Sequence, residues 1–448
     1  MSLVTGNDFC LVVTEDGDLY GFGENNVGQL GLGNVVVQQR PVLINTEAVL
    51  DGHKVLMAAA GHTHAACVTR DGSLYMWGCG TRGELGHGPE VLFSNIPLRL
   101  TMHNFGHSPA LMVACGTEFS MLLTAVGSVW ICGDARYPFV HAELGLNPLQ
   151  WRDHFTMIDP VHFNHTSIGM ISAGNSHCMA LAKENGTLWT WGLNTHGQCG
   201  HGHTDPILLP TVVQAVLAEC DSFNFVEAGQ DVSMAVTTAG ALWVCGCNSS
   251  NELGCGVKRR SQTTMMRVQK PLNLRASGVR MVNCGMWHTV VLTKDGGVWA
   301  CGRGSSCLGT KFGTEDDDDE KVLKQINPAL FNGNKIKLVA GGNNVSLAVD
   351  EHGAMYIWGK QRHYTGEYWQ PRLMDSADLG HARVGCWHDI PVEHELAICM
   401  GRHERLGSDS AVRMFPDELL ISIFEQMQFS PREGSGDGFR DLVGRRGV

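Results

Sequence analysis

From the start of the chain to about residue 400, apolar residues come in short runs broken by polar, glycine-bearing turns. In "ACVTRDGSLYMWG", two apolar or β-branched runs flank Asp71-Gly72, a pair in which both turn positions tolerate positive φ. This predicts a β-hairpin. The copies with "ENG" and "KDG" repeat the same chemistry. The run "LYMW", Leu74 to Trp77, is apolar at consecutive positions, so both faces of its strand must be covered by neighbours.

The pattern is periodic. A glycine closes one apolar strand at Gly6, Gly61, Gly116, Gly174, Gly229, Gly285 and Gly341; a turn glycine follows at Gly17, Gly72, Gly127, Gly186, Gly240, Gly296 and Gly353. A third closes an aromatic strand at Gly23, Gly78, Gly133, Gly192, Gly246, Gly302 and Gly359, giving seven copies at a spacing of 54 to 59 residues. A proline followed by apolar residues precedes each next copy, at Pro41, Pro97, Pro160, Pro210, Pro271, Pro328 and Pro371, where a strand start or an edge strand tolerates a missing N–H. Four strands per repeat, covered on both faces, predict an all-β fold: a seven-bladed β-propeller of four-stranded blades.

The second copy contains a G-x-G-x-x-G at Gly78, Gly80 and Gly83. A dinucleotide site needs a helix immediately afterwards to hold the pyrophosphate on its N-terminal amides, and "ELGHGP" starts none. The stretch also recurs at Leu19–Gly33, Leu188–Gly202 and Leu242–Gly256. A phosphate site is needed once, whereas a turn is needed in every repeat.

The stretches "AAGHTHAACVTRDGSLYMWGCGTRGELGHG" and "SAGNSHCMALAKENGTLWTWGLNTHGQCGHG" resemble the regulator of chromosome condensation repeat family, and weaker copies extend the resemblance over about residues 1 to 400. It implies a seven-bladed propeller of a kind that family uses as a nucleotide exchange factor for the Ran GTPase, as a ubiquitin-ligase or ciliary scaffold module, and as a plant UV-B photoreceptor. The propeller is expected over 1–405, with repeats near 1–54, 55–110, 111–167, 168–222, 223–278, 279–335 and 336–381. Closing strands follow at 382–405: "RVGCWHD" carries Gly385 and His388 but is followed by no aromatic strand, while almost nothing precedes Gly6. The two chain ends are therefore expected to share one blade, removing the sheet edges.

The remainder, 406–448, reads as a tail with a helix over 416–428. In "RMFPDELLISIFEQMQ", Pro416 suits the first helical position and Asp417 and Glu418 complement the helix dipole. Leu419, Leu420, Ile423, Phe424 and Met427 form one apolar stripe. The segment resembles the first helix of an F-box, with Pro416, Glu418, Leu419, Leu420, Ile423 and Phe424 at the matching positions. The resemblance implies contact with a Skp-type adaptor of a cullin ubiquitin ligase. Phe415 replaces the usual leucine, and a glycine-rich charged stretch follows where two further helices belong. The same stripe equally suits a helix docked on the propeller.

Composition sharpens the functional classes. A formal charge of -12 argues against general nucleic-acid binding. "VKRRSQTTMMRVQK", Val257 to Lys270, and the acidic Glu315 to Glu320 read as solvated loops. No apolar run approaches a membrane span, and the opening residues lack signal-peptide character, so a cytoplasmic or nuclear location is expected. Among 16 cysteines there is no C-x-x-C; Cys67, Cys115, Cys178, Cys245 and Cys301 lie in apolar runs and read as small buried hydrophobes.

No catalytic, cofactor or metal site is expected. His64, His177, His288 and His388 each stand three residues after a repeat glycine and read as hydrogen-bonded structural histidines. His201 and His203 form a tight turn of ligand-capable side chains with no third partner, and metal binding is not expected there. The photoreceptor's G-W-R-H-T repeat is not reproduced: Trp287 and Trp387 sit one position later and lack the adjacent arginine, so they read as core or surface aromatics. The expected function is a protein-interaction scaffold, with a ligase substrate-recognition subunit as its specific form. The alternative is an exchange factor for a Ran-like small GTPase, for which the long third-repeat loop Gly133 to Gly145 would be the protruding element.

Overall fold

The computed structural model describes residues 2–134, 152–214, 222–303, 309 and 322–374, apart from 45, 258, 270 and 361–366. Within them lie seven four-stranded antiparallel sheets, each with its strands hydrogen-bonded in simple chain order. The blades cover 2–44, 55–100, 110–157, 168–212, 223–267, 279–325 and 336–373. Their first strands line a common central channel.

Local chemistry makes each blade. The turn glycines adopt φ between 64° and 88°, the left-handed region that lets two residues reverse the chain. Gly78, at the end of the aromatic strand Leu74–Cys79, has φ 97°, and a Cβ there would lie 2.6 Å from the Thr63 carbonyl oxygen. The second strands, such as His64–Thr69 and His177–Ala182, are buried at every position because a blade stands on each side. Trp77, Trp191, Trp243 and Trp358 are among the largest fully buried side chains. Apolar clusters bridge blades 1 and 2, blades 2 to 6, blades 6 and 7, and blades 7 and 1, so the core is a ring of joints between blades.

Several expectations change here. The ends of the ring exchange no strand among the described residues: blade 1 takes its inner strand from Ser2–Thr5 and blade 7 is complete by Leu373. Closure is by side-to-side packing, with Thr5 Oγ1 donating to the Gly341 carbonyl at 2.7 Å and Asn343 Nδ2 to Asp8 Oδ1 at 3.3 Å. The few residues before Gly6 suffice for that strand. The expected closing segment 382–405 lies outside the described residues.

The seventh repeat's strand-closing turn belongs to Gly342 and not Gly341. Gly342 N donates to Val345 O, as Gly6 N does to Phe9 O and Gly61 N to His64 O.

Of the seven prolines, Pro41, Pro97, Pro210 and Pro371 lie within outer strands, where the unpaired edge needs no donor. Pro160 and Pro328 instead open short 3-10 helices, Pro160–Phe163 and Pro328–Phe331, and Pro271 caps the helix Leu272–Ser277. The basic stretch read as a solvated loop contributes the outer strand Ser261–Arg267 of blade 5, anchored by buried Met265. The charged residues at its ends hide its strand character in the sequence.

Candidate functional site

The histidines define one kind of joint between blades. His64 Nε2 meets Ser120 Oγ at 2.9 Å, His177 meets Ser233 at 2.8 Å and His288 meets Ser346 at 2.9 Å. Each pair links an even blade to the following odd one and is buried. Ser120 Oγ also donates to Glu84 O at 2.8 Å, and Ser233 Oγ to Gln198 O at 2.6 Å. With its one proton committed to a carbonyl, each of these two hydroxyls accepts from the histidine, which fixes the Nε2–H tautomer. Burial drives the imidazole pKa down to about 3 for His64 and about 4 for His177 and His288, so all three stay neutral.

The same loop carbonyls collect further donors from the next blade. Glu84 O accepts from Cys132 Sγ at 3.5 Å, Gln198 O from Cys245 Sγ at 3.3 Å, and Glu252 O from Thr289 Oγ1 at 2.7 Å and Cys301 Sγ at 3.4 Å. In blade 1, Gln29 O accepts from Trp77 Nε1 at 2.9 Å. The conspicuous loop glycines and the buried cysteines therefore serve the joints, and Cys67, Cys115, Cys178, Cys245 and Cys301 are all buried free thiols.

The channel, about 430 Å³, is where the blades differ. Two residues before the strand-closing glycine, blades 1, 2, 3 and 7 carry Val4, Ala59, Ala114 and Ala340, whereas blades 4, 5 and 6 carry Ser172, Glu227 and Asn283. These three link neighbouring inner strands. Ser172 Oγ accepts from Ala228 N at 2.9 Å, Asn283 Nδ2 donates to Glu227 Oε1 at 3.0 Å, and Asn283 Oδ1 accepts from Gly341 N at 2.6 Å. Because a backbone N–H pins the Asn283 carbonyl oxygen, its NH₂ has to face Glu227. Burial pushes the Glu227 carboxyl up to about 8. At this level of the inner strands blades 4 to 6 are thus polar and blades 1 to 3 aliphatic, while Asn7, His62 and Thr117 line the turns and Arg280 lines the channel three residues before Asn283.

The mouth at the glycine end is framed by the turns between first and second strands. Backbone bonds cross from blade to blade there, including Asn175 N to Gln230 O at 3.2 Å and Met286 N to Gly342 O at 3.2 Å. Trp287 follows Met286 in the blade 6 turn and is 37% exposed, while the other tryptophans described with side chains are buried or half-buried. Blade 5 places Asp231 at the corresponding turn position, its Oδ1 accepting from Gln198 Nε2 at 3.3 Å.

The residues singled out in the tail, Pro416, Glu418, Leu419, Leu420, Ile423 and Phe424, lie outside the described residues, as do His388, Trp387, Glu315 to Glu320 and the third-repeat loop beyond Asp134. His201 Nε2 faces Thr190 Oγ1 at 3.0 Å and His203 Nδ1 lies 3.6 Å from Asp205, and among the described residues no three His, Cys, Asp or Glu side chains group to hold a metal ion. Sequence reasoning does not pick out Glu227, Asn283 or Trp287 as site residues. A signal for the first two is nevertheless present, as a polar interruption of an otherwise Ala/Val column in three consecutive repeats.

Seven sheets closed around one channel define the class of this molecule as a seven-bladed β-propeller. The chain belongs to the RCC1-like domain family, matched over residues 48–388, and the regulator of chromosome condensation (RCC1) repeat is matched again at 16–68 and 2–29. Over 254 residues it is 32% identical to the ultraviolet-B receptor UVR8 of Arabidopsis thaliana, spanning 57% of this chain and 54% of the receptor. The human E3 ubiquitin-protein ligase HERC2 is 28% identical over 64% of the chain, which corresponds to 6% of the ligase. The secretion-regulating guanine nucleotide exchange factor of Bos taurus is 26% identical over 88% of this chain and 87% of its own length. The chain thus spans about half or less of the first two relatives' own length. Among solved structures, human WBSCR16 superposes with a TM-score of 0.68 at 19% identity, covering 80% of this chain and 93% of that one. Prp20p of Saccharomyces cerevisiae, described with its binding to Gsp1p and histones, gives 0.68 at 19% identity over 82% and 87%. These likenesses establish the fold.

Proposed function

We propose that the chain is a protein-interaction scaffold whose propeller holds a protein ligand and whose tail couples it to a ubiquitin ligase. The observation that carries the scaffold reading is the division of labour within each repeat. The three even-to-odd joints reuse one His–Ser contact, while the channel wall and mouth differ from blade to blade. Variation confined to such positions is what partner recognition on a rigid frame requires. The match to a ubiquitin ligase and the F-box resemblance of 416–428 support the coupling. In this reading Leu419, Leu420, Ile423 and Phe424 enter a groove on a Skp-type adaptor, with Pro416 starting the helix and Glu418 in its first turn.

A pull-down compares the full chain with a Leu420→Asp, Phe424→Asp double variant, with melting temperature measured alongside. Loss of the adaptor at unchanged melting temperature supports the role. A large fall in melting temperature with no adaptor recovered by either protein ends it and assigns the stripe to the propeller.

A second reading, exchange of guanine nucleotide on a Ran-like GTPase, is favoured by the near end-to-end match to an exchange factor. Its test is release of labelled GDP from the GTPase at catalytic concentrations of this protein. Acceleration decides for exchange, and an unchanged rate retires it.

A further inference from the structure

Two residues before the closing glycine, only blades 4 to 6 turn polar side chains to the channel, and blade 5 carries two acceptors, Glu227 and Gln230. Glu227 has one carboxyl oxygen engaged by Asn283 Nδ2, and the Cys284 backbone N–H also donates to the carboxyl group. Three residues on, at the turn, Gln230 Oε1 is buried with no hydrogen-bond partner, although both residues line the channel. A buried side-chain carbonyl left without a donor is costly unless something fills the site. Beside them on blade 6, Met286 lines the same channel and Trp287 stands exposed at its rim. Across the channel the inner strands present Ala59 and Ala114, with Asn7, His62 and Thr117 at the facing turns, while Arg280 lines the channel three residues before Asn283 on the same inner strand. Two acceptors at the end of a largely apolar passage call for a compact donor carried on an apolar stem. An ammonium meets this better than a guanidinium, because Asn283 already occupies one carboxyl oxygen and leaves no free fork for bidentate pairing. An exposed tryptophan at the rim fits a stem and backbone belonging to a protein, since partly exposed aromatics anchor protein partners and attract cations over their faces.

We propose that the glycine-end mouth of the channel receives a lysine side chain of a protein partner, its ammonium donating to Glu227 and Gln230 and its alkyl stem lying against Met286 and Trp287. The proposal rests on the protein-scaffold reading and gives that reading the chemistry of its partner. The cavity of about 430 Å³ accommodates one such side chain together with the main chain that carries it. A carboxyl group that burial keeps protonated in the free protein releases its proton to solvent when the cation arrives, which leaves an ion pair in place of a buried neutral acid.

The test uses the full chain and calorimetric titration with a capped glycine pentapeptide bearing a central lysine, its norleucine counterpart, and n-butylammonium. The lysine peptide is expected to bind saturably and at least tenfold more tightly than the norleucine peptide. Glu227→Gln, whose amide oxygen still accepts from Asn283, is expected to lose at least tenfold for lysine without any fall in melting temperature. Trp287→Ala is expected to weaken the peptide several-fold and butylammonium, which has the same stem but no backbone, by less. Equal binding of lysine and norleucine peptides, undiminished binding by Glu227→Gln, or no saturable binding overturns the proposal. Butylammonium binding as tightly as the peptide also overturns it, by assigning the site to a free amine. Adaptor capture through the tail is read separately in both wild type and Glu227→Gln, so failure of this site and failure of the ligase reading are distinguishable.

Discussion

His64 Nε2 lies 2.9 Å from Ser120 Oγ, across the joint between blades 2 and 3. The pair recurs at the joints between blades 4 and 5 and blades 6 and 7, always from an even blade to an odd one. The alternation is carried by two adjacent positions: His64-Ala65, His177-Cys178 and His288-Thr289 in even blades, Phe9-Cys10, Phe119-Ser120, Val232-Ser233 and Val345-Ser346 in odd ones. Seven is odd, so one joint must bring two odd blades together. That joint is the ring closure, where Cys10 and Val345 share one apolar cluster.

The joints make stability depend on pH below neutrality. Each of the three histidines titrates in the folded state near 3 or 4 and in the unfolded chain near its ordinary value of 6.5. Between those values the unfolded chain binds more protons, so the contribution is complete above pH 6.5 and is lost as the pH falls toward 4. Denaturant midpoints measured from pH 7 down to pH 5 should fall, and His64→Gln should make that slope shallower.

Ser233→Ala should be more damaging than its size implies. It removes the acceptor for the His177 Nε2–H, leaving that buried donor unmatched, and leaves Gln198 O with only the weak Cys245 thiol donor. A loss of about 1–3 kcal/mol in unfolding free energy is expected, with Ser233→Thr recovering part of it.

Two glycines should separate strain from crowding. Gly52 has φ 76° with nothing within 4 Å of where a Cβ would stand, so Gly52→Ala should cost only about 1 kcal/mol. Gly78 has φ 97° and a carbonyl oxygen 2.6 Å from that position, so Gly78→Ala should cost about 3 kcal/mol or more. Thermal melts of the two variants side by side give the difference.

Glu227 works in the opposite sense to the histidines. Its folded pKa, raised to about 8 by burial, exceeds the unfolded value, so the folded state holds the extra proton. Its contribution is complete below about pH 4.5 and is lost as the pH rises through 8. Glu227→Gln, which cannot ionise, should therefore become increasingly more stable than wild type from about pH 6 to about pH 8.5, as read from melting temperatures across that range.

Much of this was legible without coordinates because it is local chemistry. Asp-Gly pairs make hairpins, unbroken apolar strands demand cover on both faces, and sevenfold recurrence of the glycines sets the number of blades. The histidines three residues after Gly61, Gly174 and Gly285 could be read as structural for the same reason. Their partners could not, since Ser120, Ser233 and Ser346 lie 56 to 58 residues away, on the next blade.

The sequence by itself determined the strands, their order and the count of repeats, because turn and strand preferences act between residues close in the chain. Only the tertiary structure decided how the ring closes, with Thr5 against Gly341, and which polar groups of neighbouring inner strands meet in the channel wall. Both depend on residues brought together by closure of a ring, a condition met by all seven blades at once and by no one repeat. Glu227 and Asn283, 56 residues apart, become neighbours only when blades 5 and 6 stand side by side.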